Sequence, residues 1–288
     1  MNTRTTRLLL IATALGGLGV ASIASAQTPA RPNVLEVRGF VGRIEVDTSV
    51  GGALRATVTP GRDGLGARIS QRDRNLVVDG GFEDTYRMSC EGSGDRMRVS
   101  INGRTYRLDE LPVLRVSGSP GIGVRTIRSS VAGRIGPVGG VTLAQSGCLS
   151  LVVGDVRGSA EVSAAGSGDL RIGSVGDRLE VSLAGAGDVA AGRVGGSTKI
   201  NIAGSGNVVV AQPGRDLSVA LAGSGDVEIA GGEARTEISI AGSGDVRFGG
   251  IAIDPSVSIL GSGDVTLGAT RGERAFSRLG SGSVTVER

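Results

Sequence analysis

Aspartate recurs at a fixed spacing in the second half of the sequence, directly after a pair of glycines. The segments read GSGDL, GAGDV, GSGNV, GSGDV, GSGDV, GSGDV and GSGSV, and equivalent positions are 19 residues apart. Carboxylates repeated in this way could bind a cation, border a phosphate-binding loop or act in pairs on a glycosidic bond. The five carboxylates, which we call the aspartate column, are Asp169, Asp188, Asp226, Asp245 and Asp264.

Metal and phosphate binding both find little support in the residues around the aspartate column. Calcium takes six to eight oxygen ligands, and one carboxylate per copy supplies few of them. The calcium-binding nonapeptide repeats of secreted proteins also place glycine and aspartate in a different order. A phosphate-binding loop needs a lysine and a following helix, which GSGD lacks. The five aspartates are candidate cation ligands only, and the sequence predicts no bound metal and no cofactor.

Hydrolysis of a glycosidic bond is the main enzymatic alternative. Aspartates in adjacent copies would lie about 4.8 Å apart if the copies stack, which is close to the separation of the paired carboxylates in retaining glycosidases. A working acid and base need different environments, whereas a regular row gives successive carboxylates similar surroundings. The chain also contains no histidine. We therefore predict a protein that is not an enzyme and that has no catalytic residues. The alternatives are a polysaccharide-active enzyme and a calcium-binding repeat protein.

Turn formation explains the substitutions in the aspartate column better than charge does. Asn207 and Ser283 stand at two of its positions. Both share with aspartate an oxygen that accepts a hydrogen bond from a nearby backbone N–H. The glycines permit a positive φ or a close approach between neighbouring coils. The sequence therefore predicts a row of capped turns.

The first copy, QSGCL, is the least regular. Aligning its Cys148 with Asp169 separates these two residues by 21 positions. The same alignment sets Val141 beside Val162. With this copy included, we predict eight copies from about residue 141 to about residue 286.

Alternating apolar residues on both sides of each turn predict two short strands per copy. Val181 and Leu183 precede one turn, and Val189 and Ala191 follow it. Two strands cannot bury their apolar faces alone, so the copies must stack, with each strand parallel to its equivalent in the next copy. A propeller blade would need about 40 residues. We therefore predict an all-β fold, a single-stranded parallel β-helix with about 19 residues per regular coil, preceded by irregular β-strands.

The last copy differs from the others in charge. Arg278 replaces a buried aliphatic residue, and the segment RGERAFSR is more charged than the other return loops. Charges on an edge strand discourage further strands from adding to it. This copy is therefore predicted to end the stack.

The first 26 residues have the features of a secretory signal peptide. Arg4 and Arg7 precede an apolar run, and the motif ASA stands before Gln27. The run is too short, and contains too many glycines, for a membrane span. We predict a signal peptide over 1–26, an N-terminal β-segment over 27–111 that forms a cap or irregular first coils, and a β-helix over 112–288. Such a protein is exported to the periplasm or the cell surface and has no membrane span after cleavage.

Composition weighs against a nucleic-acid partner. Without Arg4 and Arg7, basic and acidic residues are nearly equal in number, Lys199 is the only lysine, and no basic block occurs. Tryptophan is absent and tyrosine occurs twice, which leaves few rings on which bases could stack.

Cys90 and Cys148 are the only cysteines. An exported protein can retain a disulfide between them. The bridge would close a loop of 58 residues and contribute about 4 kcal/mol by the chain-entropy estimate. It would also attach the irregular segment to the first regular coil. We predict this bridge, with two free thiols as the alternative.

The sequence resembles the "putative autotransporter adhesin head domain" family, also called the GIN domain. The resemblance rests on VRGFVGRIEVDTS, LRATVTPG and NLVVDGG, followed by the AGSGDV repeats, and extends from about residue 34 to about residue 286. It implies an exported bacterial protein with a right-handed parallel β-helix. The family offers no catalytic residues to transfer to this chain.

We therefore predict an exported, non-enzymatic β-helix protein with an adhesin-like or structural role in the bacterial cell envelope. In the adhesin-like form, a repetitive surface binds a surface glycan or an envelope protein. In the structural form the protein has no ligand, and self-association end to end is expected.

Overall fold

The computed structural model describes residues 33–82, 87–91, 97–148 and 150–287. The predicted signal peptide lies outside these residues. Within them the regular secondary structure is β-strand, apart from single 3-10 turns at Arg62–Gly64 and Leu108–Glu110. The same residues contain no helix with the length and hydrophobicity needed to cross a lipid bilayer.

The strands are short and follow one another closely along the chain. Those of the N-terminal part are β1 (Val34–Arg38), β2 (Val41–Asp47), β3 (Arg55–Thr59), β4 (Arg68–Arg72), β5 (Asn75–Asp79), β6 (Met88–Glu91), β7 (Arg98–Ile101), β8 (Arg104–Arg107), β9 (Val113–Ser117) and β10 (Gly123–Ile135). Those of the first repeats are β11 (Gly140–Gly147), β12 (Leu151–Val153), β13 (Ala160–Gly166), β14 (Leu170–Ile172), β15 (Leu179–Gly185), β16 (Val189–Arg193), β17 (Ser197–Gly204) and β18 (Val208–Gln212). Those of the last repeats are β19 (Asp216–Gly223), β20 (Val227–Ile229), β21 (Glu233–Gly242), β22 (Val246–Gly261), β23 (Val265–Arg271), β24 (Ala275–Gly280) and β25 (Val284–Val286).

Parallel pairing stacks these strands into a β-solenoid with two main faces. The long-strand face has the order β5, β1, β10, β11, β13, β15, β17, β19, β21, β22, β24. The short-strand face has the order β9, β2, β10, β12, β14, β16, β18, β20, β22, β23, β25. The strands β10 and β22 are long because each runs from one face into the other. The prediction of a parallel β-helix with 19-residue coils is confirmed.

A third side carries the return of the chain to the next coil. In the first repeats it is held by single bridges that pair Val138 with Val156, Val156 with Val175, and Val175 with Val194. These valines are buried, so the return segment also contributes to the core. The solenoid interior is therefore enclosed on three sides in these coils.

The interior consists of aliphatic ladders in which like residues stack from coil to coil. Val181 pairs with Ile200, and Ile200 with Val219, all at most 1% exposed. One continuous apolar cluster extends from Leu35 to Leu267. The alternation predicted from the sequence is confirmed in these coils, because each inward residue follows an outward one at the period of a β-strand.

The first repeat has a different register from the predicted one. Val141 pairs with Ala160 rather than Val162, and Gly147 pairs with Gly166. The spacing is therefore 19 residues here as well, and the predicted spacing of 21 was wrong. Gly147 adopts a φ of +93°, which is the left-handed region that the first glycine of each turn occupies. The predicted alignment of Cys148 with Asp169 instead places Gly147 at the position of the second glycine.

The register also changes the residue that occupies the aspartate column in this coil. Leu151 pairs with Leu170, which places Ser150 beside Asp169. The backbone N–H of Asp169 donates to Ser150 Oγ at 3.4 Å. The assignment of Cys148 to this column was therefore wrong. Its sulfur is bonded to Cys90.

The N-terminal strands form the outer coils of the same solenoid, in an order that differs from the chain order. The coil made of β1 and β2 lies between the coil of β10 and an outer coil made of β5 and β9. Two antiparallel strands, β4 on β5 and β3 on β9, then cover the outermost coil. This end of the stack is closed by strands that run against the parallel direction.

A small antiparallel sheet of β6, β7 and β8 packs beside the first coils. It has its own apolar cluster, in which Val99, Ile101 and Tyr106 meet Val41 and Ala132 of the solenoid. The cluster fixes the orientation of this sheet relative to the solenoid.

The opposite end of the stack is more open. Every residue of β24 is exposed, including Phe276 at 39%. Arg278 occupies the place of an inward aliphatic residue, and its guanidinium donates to the carbonyl oxygen of Gly282 at 3.4 Å. No further strand pairs with β24 beyond the coil of β22 in the described chain.

Candidate functional site

The aspartate column forms a ladder of hydrogen bonds along one corner of the solenoid. In each coil the side-chain oxygen accepts a bond from the backbone N–H of the equivalent residue in the next coil. The N–H of Asp245 donates to Asp226 Oδ1 at 2.9 Å, and the N–H of Asp264 donates to Asp245 Oδ1 at 2.8 Å. The sequence suggested turn capping within a coil. The structure places the acceptor and the donor in adjacent coils instead.

The uncharged members of the column make the same bond. The N–H of Asp226 donates to Asn207 Oδ1 at 2.9 Å, and the N–H of Asn207 donates to Asp188 Oδ1 at 2.9 Å. An amide oxygen therefore replaces a carboxylate oxygen without loss of the contact. Acceptance of a backbone N–H, rather than negative charge, is what these positions share.

The hydrogen bonds of the ladder favour the ionised form of Asp264. The hydroxyl and the backbone N–H of Ser283 both donate to Asp264 Oδ1, at 2.8 and 2.7 Å. These bonds favour the charged carboxylate and lower the pKa of Asp264 below its usual value. Asp264 is the only member of the column in which a hydroxyl strengthens the bond from the next coil.

The structure brings the candidate cation ligands Asp169, Asp188, Asp226, Asp245 and Asp264 into one exposed row. One Oδ atom of each is already engaged by a backbone N–H of the next coil. Within the described ranges, no group of three or more acidic or cysteine residues is arranged to hold a metal ion. The row therefore connects adjacent coils by hydrogen bonds at the corner between the two faces.

Glycines at the same corner allow the coils to approach closely. The backbone N–H groups of Ser243 and Gly244 both donate to the carbonyl oxygen of Gly223 in the preceding coil, at 2.9 and 3.2 Å. Gly242 adopts a φ of +147°, and a Cβ at this position would overlap that carbonyl oxygen. The first glycine of each repeat is therefore required both by conformation and by space.

The outward side chains of the long-strand face form a regular polar and apolar surface, which we call the Ser/Ala face. Three parallel columns build it, in the register of β13, β15, β17, β19, β21, β22 and β24. The first column is Glu161, Glu180, Lys199, Ser218, Glu237, Ser256 and Ala275. The second is Ser163, Ser182, Asn201, Ala220, Ser239, Ser258 and Ser277. The third is Ala165, Ala184, Ala203, Ala222, Ala241, Leu260 and Leu279.

Small side chains make the middle of the Ser/Ala face a shallow apolar groove. The groove has a volume of about 560 Å³ and runs over Ala184, Ala203 and Ala222. At the end near β24 the third column changes from alanine to leucine. Leu260 is 56% exposed and Leu279 is 72% exposed. The face therefore has a hollow middle and two protruding apolar side chains at one end.

Charged residues border the Ser/Ala face on the side of the return segments. Lys199 Nζ lies 3.1 Å from Glu180 Oε1 in the coil before it. Next to the first column of the face, a second groove of about 500 Å³ is lined in part by Arg178, Asp216 and Arg235. The apolar groove thus has a rim of mixed charge on one side and the aspartate column on the other.

A disulfide joins the small antiparallel sheet to the first repeat, as predicted. Cys90 in β6 is bonded to Cys148, which follows β11. Met88 of the same strand lies against Gly147, where a Cβ would overlap its side chain. The bridge therefore attaches the irregular N-terminal segment to the solenoid at the first regular turn.

The sequence predicted a repetitive binding surface but assigned no residues to it. Ser182, Asn201 and Ser239 alternate with the buried residues of their strands and recur at the 19-residue period. An alanine also precedes the first glycine in five of the seven regular repeats, at the same period. The periodic signal of the face therefore lies in these outward residues rather than in the buried ones.

A family described as "Putative auto-transporter adhesin, head GIN domain" matches residues 140–232 and 194–287. The chain belongs to this family. The matched residues of this GIN domain protein begin with β11 and include all of the Ser/Ala face and the aspartate column. The resemblance found in the sequence is thereby confirmed.

Two solved structures are similar to this GIN domain protein over most of its length. One is described as a "putative adhesin" from Bacteroides fragilis NCTC 9343. It is 18% identical with a TM-score of 0.42, and the match covers 89% of this chain and 92% of that chain. The other is described as a "Putative lipid binding protein" from Parabacteroides distasonis ATCC 8503. It is 18% identical with a TM-score of 0.47, and the match covers 91% and 94% of the two chains. No curated protein matches the sequence.

Proposed function

We propose that this protein is an exported, non-enzymatic, adhesin-like binding module of the bacterial cell envelope, and that it binds through the Ser/Ala face. The ligand class is a surface glycan or an envelope protein. Membership of an adhesin head domain family supports the adhesin-like role.

The observation that carries this proposal is the regularity of the Ser/Ala face. The same three outward columns run through seven coils. The strand pairing has no register shift from β13 to β21, and none from Glu237 to Gly280. Small side chains leave a shallow groove along the middle of the face, so an extended ligand can contact several coils at once. Many weak, equivalent contacts at about 4.8 Å spacing suit a binding surface that acts through repetition.

Export is supported by two features of the chain. The first 26 residues have the pattern of a signal peptide. The disulfide between Cys90 and Cys148 also belongs to an oxidising compartment such as the periplasm or the cell surface.

Binding of the mature protein to arrays of envelope glycans and to purified envelope proteins tests the proposal. Ala203→Arg places a large charged side chain in the centre of the groove, and a loss of binding of at least tenfold is expected. The matched control is Ala190→Arg, which changes an outward alanine of the short-strand face in the neighbouring segment of the chain. Equal loss in both variants, or retained binding in Ala203→Arg, would contradict the assignment of the face.

A further inference from the structure

We propose that the partner of the Ser/Ala face is the same face of a second copy of this chain, with the two solenoids antiparallel. This inference rests on the proposed function, because it names the partner of that same surface. The pairing is isologous: a two-fold axis parallel to the strands relates the copies and passes through the coil of Ala222. Such an axis keeps each column opposite itself and reverses the order of the coils.

The third column is self-complementary in this arrangement. Ala222 lies opposite Ala222 of the second copy, and Ala203 lies opposite Ala241. The exposed Leu260 lies opposite Ala184, and Leu279 lies opposite Ala165. Each protruding leucine therefore meets a small side chain, and its exposed apolar surface, 56% and 72% respectively, is removed from water.

The first column adds complementary charge in the same register. Lys199 lies opposite Glu237 of the second copy, and by symmetry this pair forms twice. Glu180 lies opposite Ser256, and Glu161 lies opposite Ala275. Within the three columns, the register sets no like charges against each other, which would disfavour association.

Neighbouring registers lack this combination. Moving the axis to halfway between the coils of Ala222 and Ala241 sets Lys199 opposite Ser256 and Glu237 opposite Ser218. Both ion pairs are then lost. The second column is neutral and tolerates either register, since it contains only serine, alanine and asparagine. Charge therefore selects the register, and the leucines contribute the largest apolar side chains of the contact.

The area of contact between the two copies is small. Seven coils and five residues of each strand give a patch of roughly 30 by 15 Å, or about 900 Å² in total for both copies. This is below the size of a standard stable interface. The pairing is therefore expected to be weak for two isolated molecules. It becomes strong when many copies on one surface meet many on another.

Sedimentation equilibrium of the mature, disulfide-bonded chain tests the pairing. A reversible monomer–dimer equilibrium is expected. Leu260→Arg and Ala203→Arg should each weaken it at least tenfold, while Val209→Arg, an exposed position of the short-strand face, should leave it unchanged. A chain that remains monomeric at several hundred micromolar, or a dimer unaffected by the two face variants, would overturn the proposal.

Charge exchange tests the register. Lys199→Glu and Glu237→Lys should each weaken dimerisation, and the two together should restore it, because the reciprocal pairs are rebuilt with opposite sign. Ala222→Cys should give an oxidised covalent dimer, whereas Val209→Cys should not. If the double variant is weaker than either single variant, or if Ala222→Cys gives no covalent dimer, the register is refuted.

These outcomes separate the partner from the surface. A monomeric protein whose binding to an envelope component is lost in Ala203→Arg overturns the self-pairing and leaves the proposed function standing. A dimer that depends on Leu260 and Ala203, in a protein that binds no other envelope component, supports self-pairing and reduces the adhesive role to contact between copies of this chain.

Discussion

The backbone N–H of Asp264 donates a hydrogen bond of 2.8 Å to Oδ1 of Asp245, which stands at the equivalent position one coil earlier. The same bond recurs from Asp188 to Ser283. The aspartate column therefore links each coil to the next by hydrogen bonds.

Substitution of Asp245 should distinguish its oxygen from its charge. Asp245→Asn retains an acceptor for the N–H of Asp264, as Asn207 does for Asp226. Asp245→Ala leaves that N–H to water and should lower the free energy of unfolding by up to about 1 kcal/mol. Urea denaturation of the two variants is the measurement. Equal destabilisation by asparagine and alanine would show that charge is required.

The first glycine of a repeat should tolerate no side chain. In Gly242→Ala the new Cβ would overlap the carbonyl oxygen of Gly223, at a φ of +147°. We expect a loss of at least about 2 kcal/mol in the free energy of unfolding. Gly231→Ala is the control, because nothing lies within 4 Å of its Cβ position. Similar unfolding curves for the two variants would contradict the close stacking of the coils at the corner.

Acid should remove the contribution of Ser283. The hydroxyl and the N–H of Ser283 lower the pKa of Asp264, so its folded pKa lies below the unfolded value of about 3.9. The stabilisation is then complete above the unfolded pKa and is lost as the pH falls through the folded pKa. The difference in unfolding free energy between wild type and Ser283→Ala should be constant above about pH 5 and decrease as the pH falls through the folded pKa of Asp264. In Ser283→Ala, an NMR titration should place the pKa of Asp264 nearer its ordinary value. A difference that grows on acidification would refute the assignment.

Loss of the disulfide should act on one part of the molecule. The bridge spans 58 residues, and the double variant Cys90→Ala, Cys148→Ala should lose about 2–4 kcal/mol of stability. Hydrogen exchange should accelerate in β6, β7 and β8, since the bridge attaches this sheet to the solenoid. Exchange in β15 to β20 serves as the internal control. Uniform acceleration along the chain would show that the bridge stabilises the whole solenoid.

The regular coils could be predicted from the sequence because the 19-residue period and the alternation of apolar and polar residues both indicate stacked strands. Val181, Ile200 and Val219 recur at one period and alternate with polar residues, so both the strand and its partner are specified. The turn could be located for the same reason. Its bonding partner could not, because a side-chain oxygen can bond within its own turn or across to the next coil. Only the coil spacing decides between these two.

The first coil and the N-terminal part were harder to predict. Gly147 lacks the second glycine that follows Gly166, so the local alignment favoured the wrong glycine. The order of β5, β1 and β10 departs from the chain order, and a sequence without a period carries no signal of which strand pairs with which. The Ser/Ala face depends on outward residues, whose types vary more than those of the core.

The central claim, that this GIN domain protein binds through its Ser/Ala face, is tested most directly by attachment of protein-coated beads to surfaces that carry either the same protein or purified envelope components. Beads coated with wild type and with Ala190→Arg should attach equally, and beads coated with Ala203→Arg should attach at least tenfold less. Equal attachment of all three would contradict the claim.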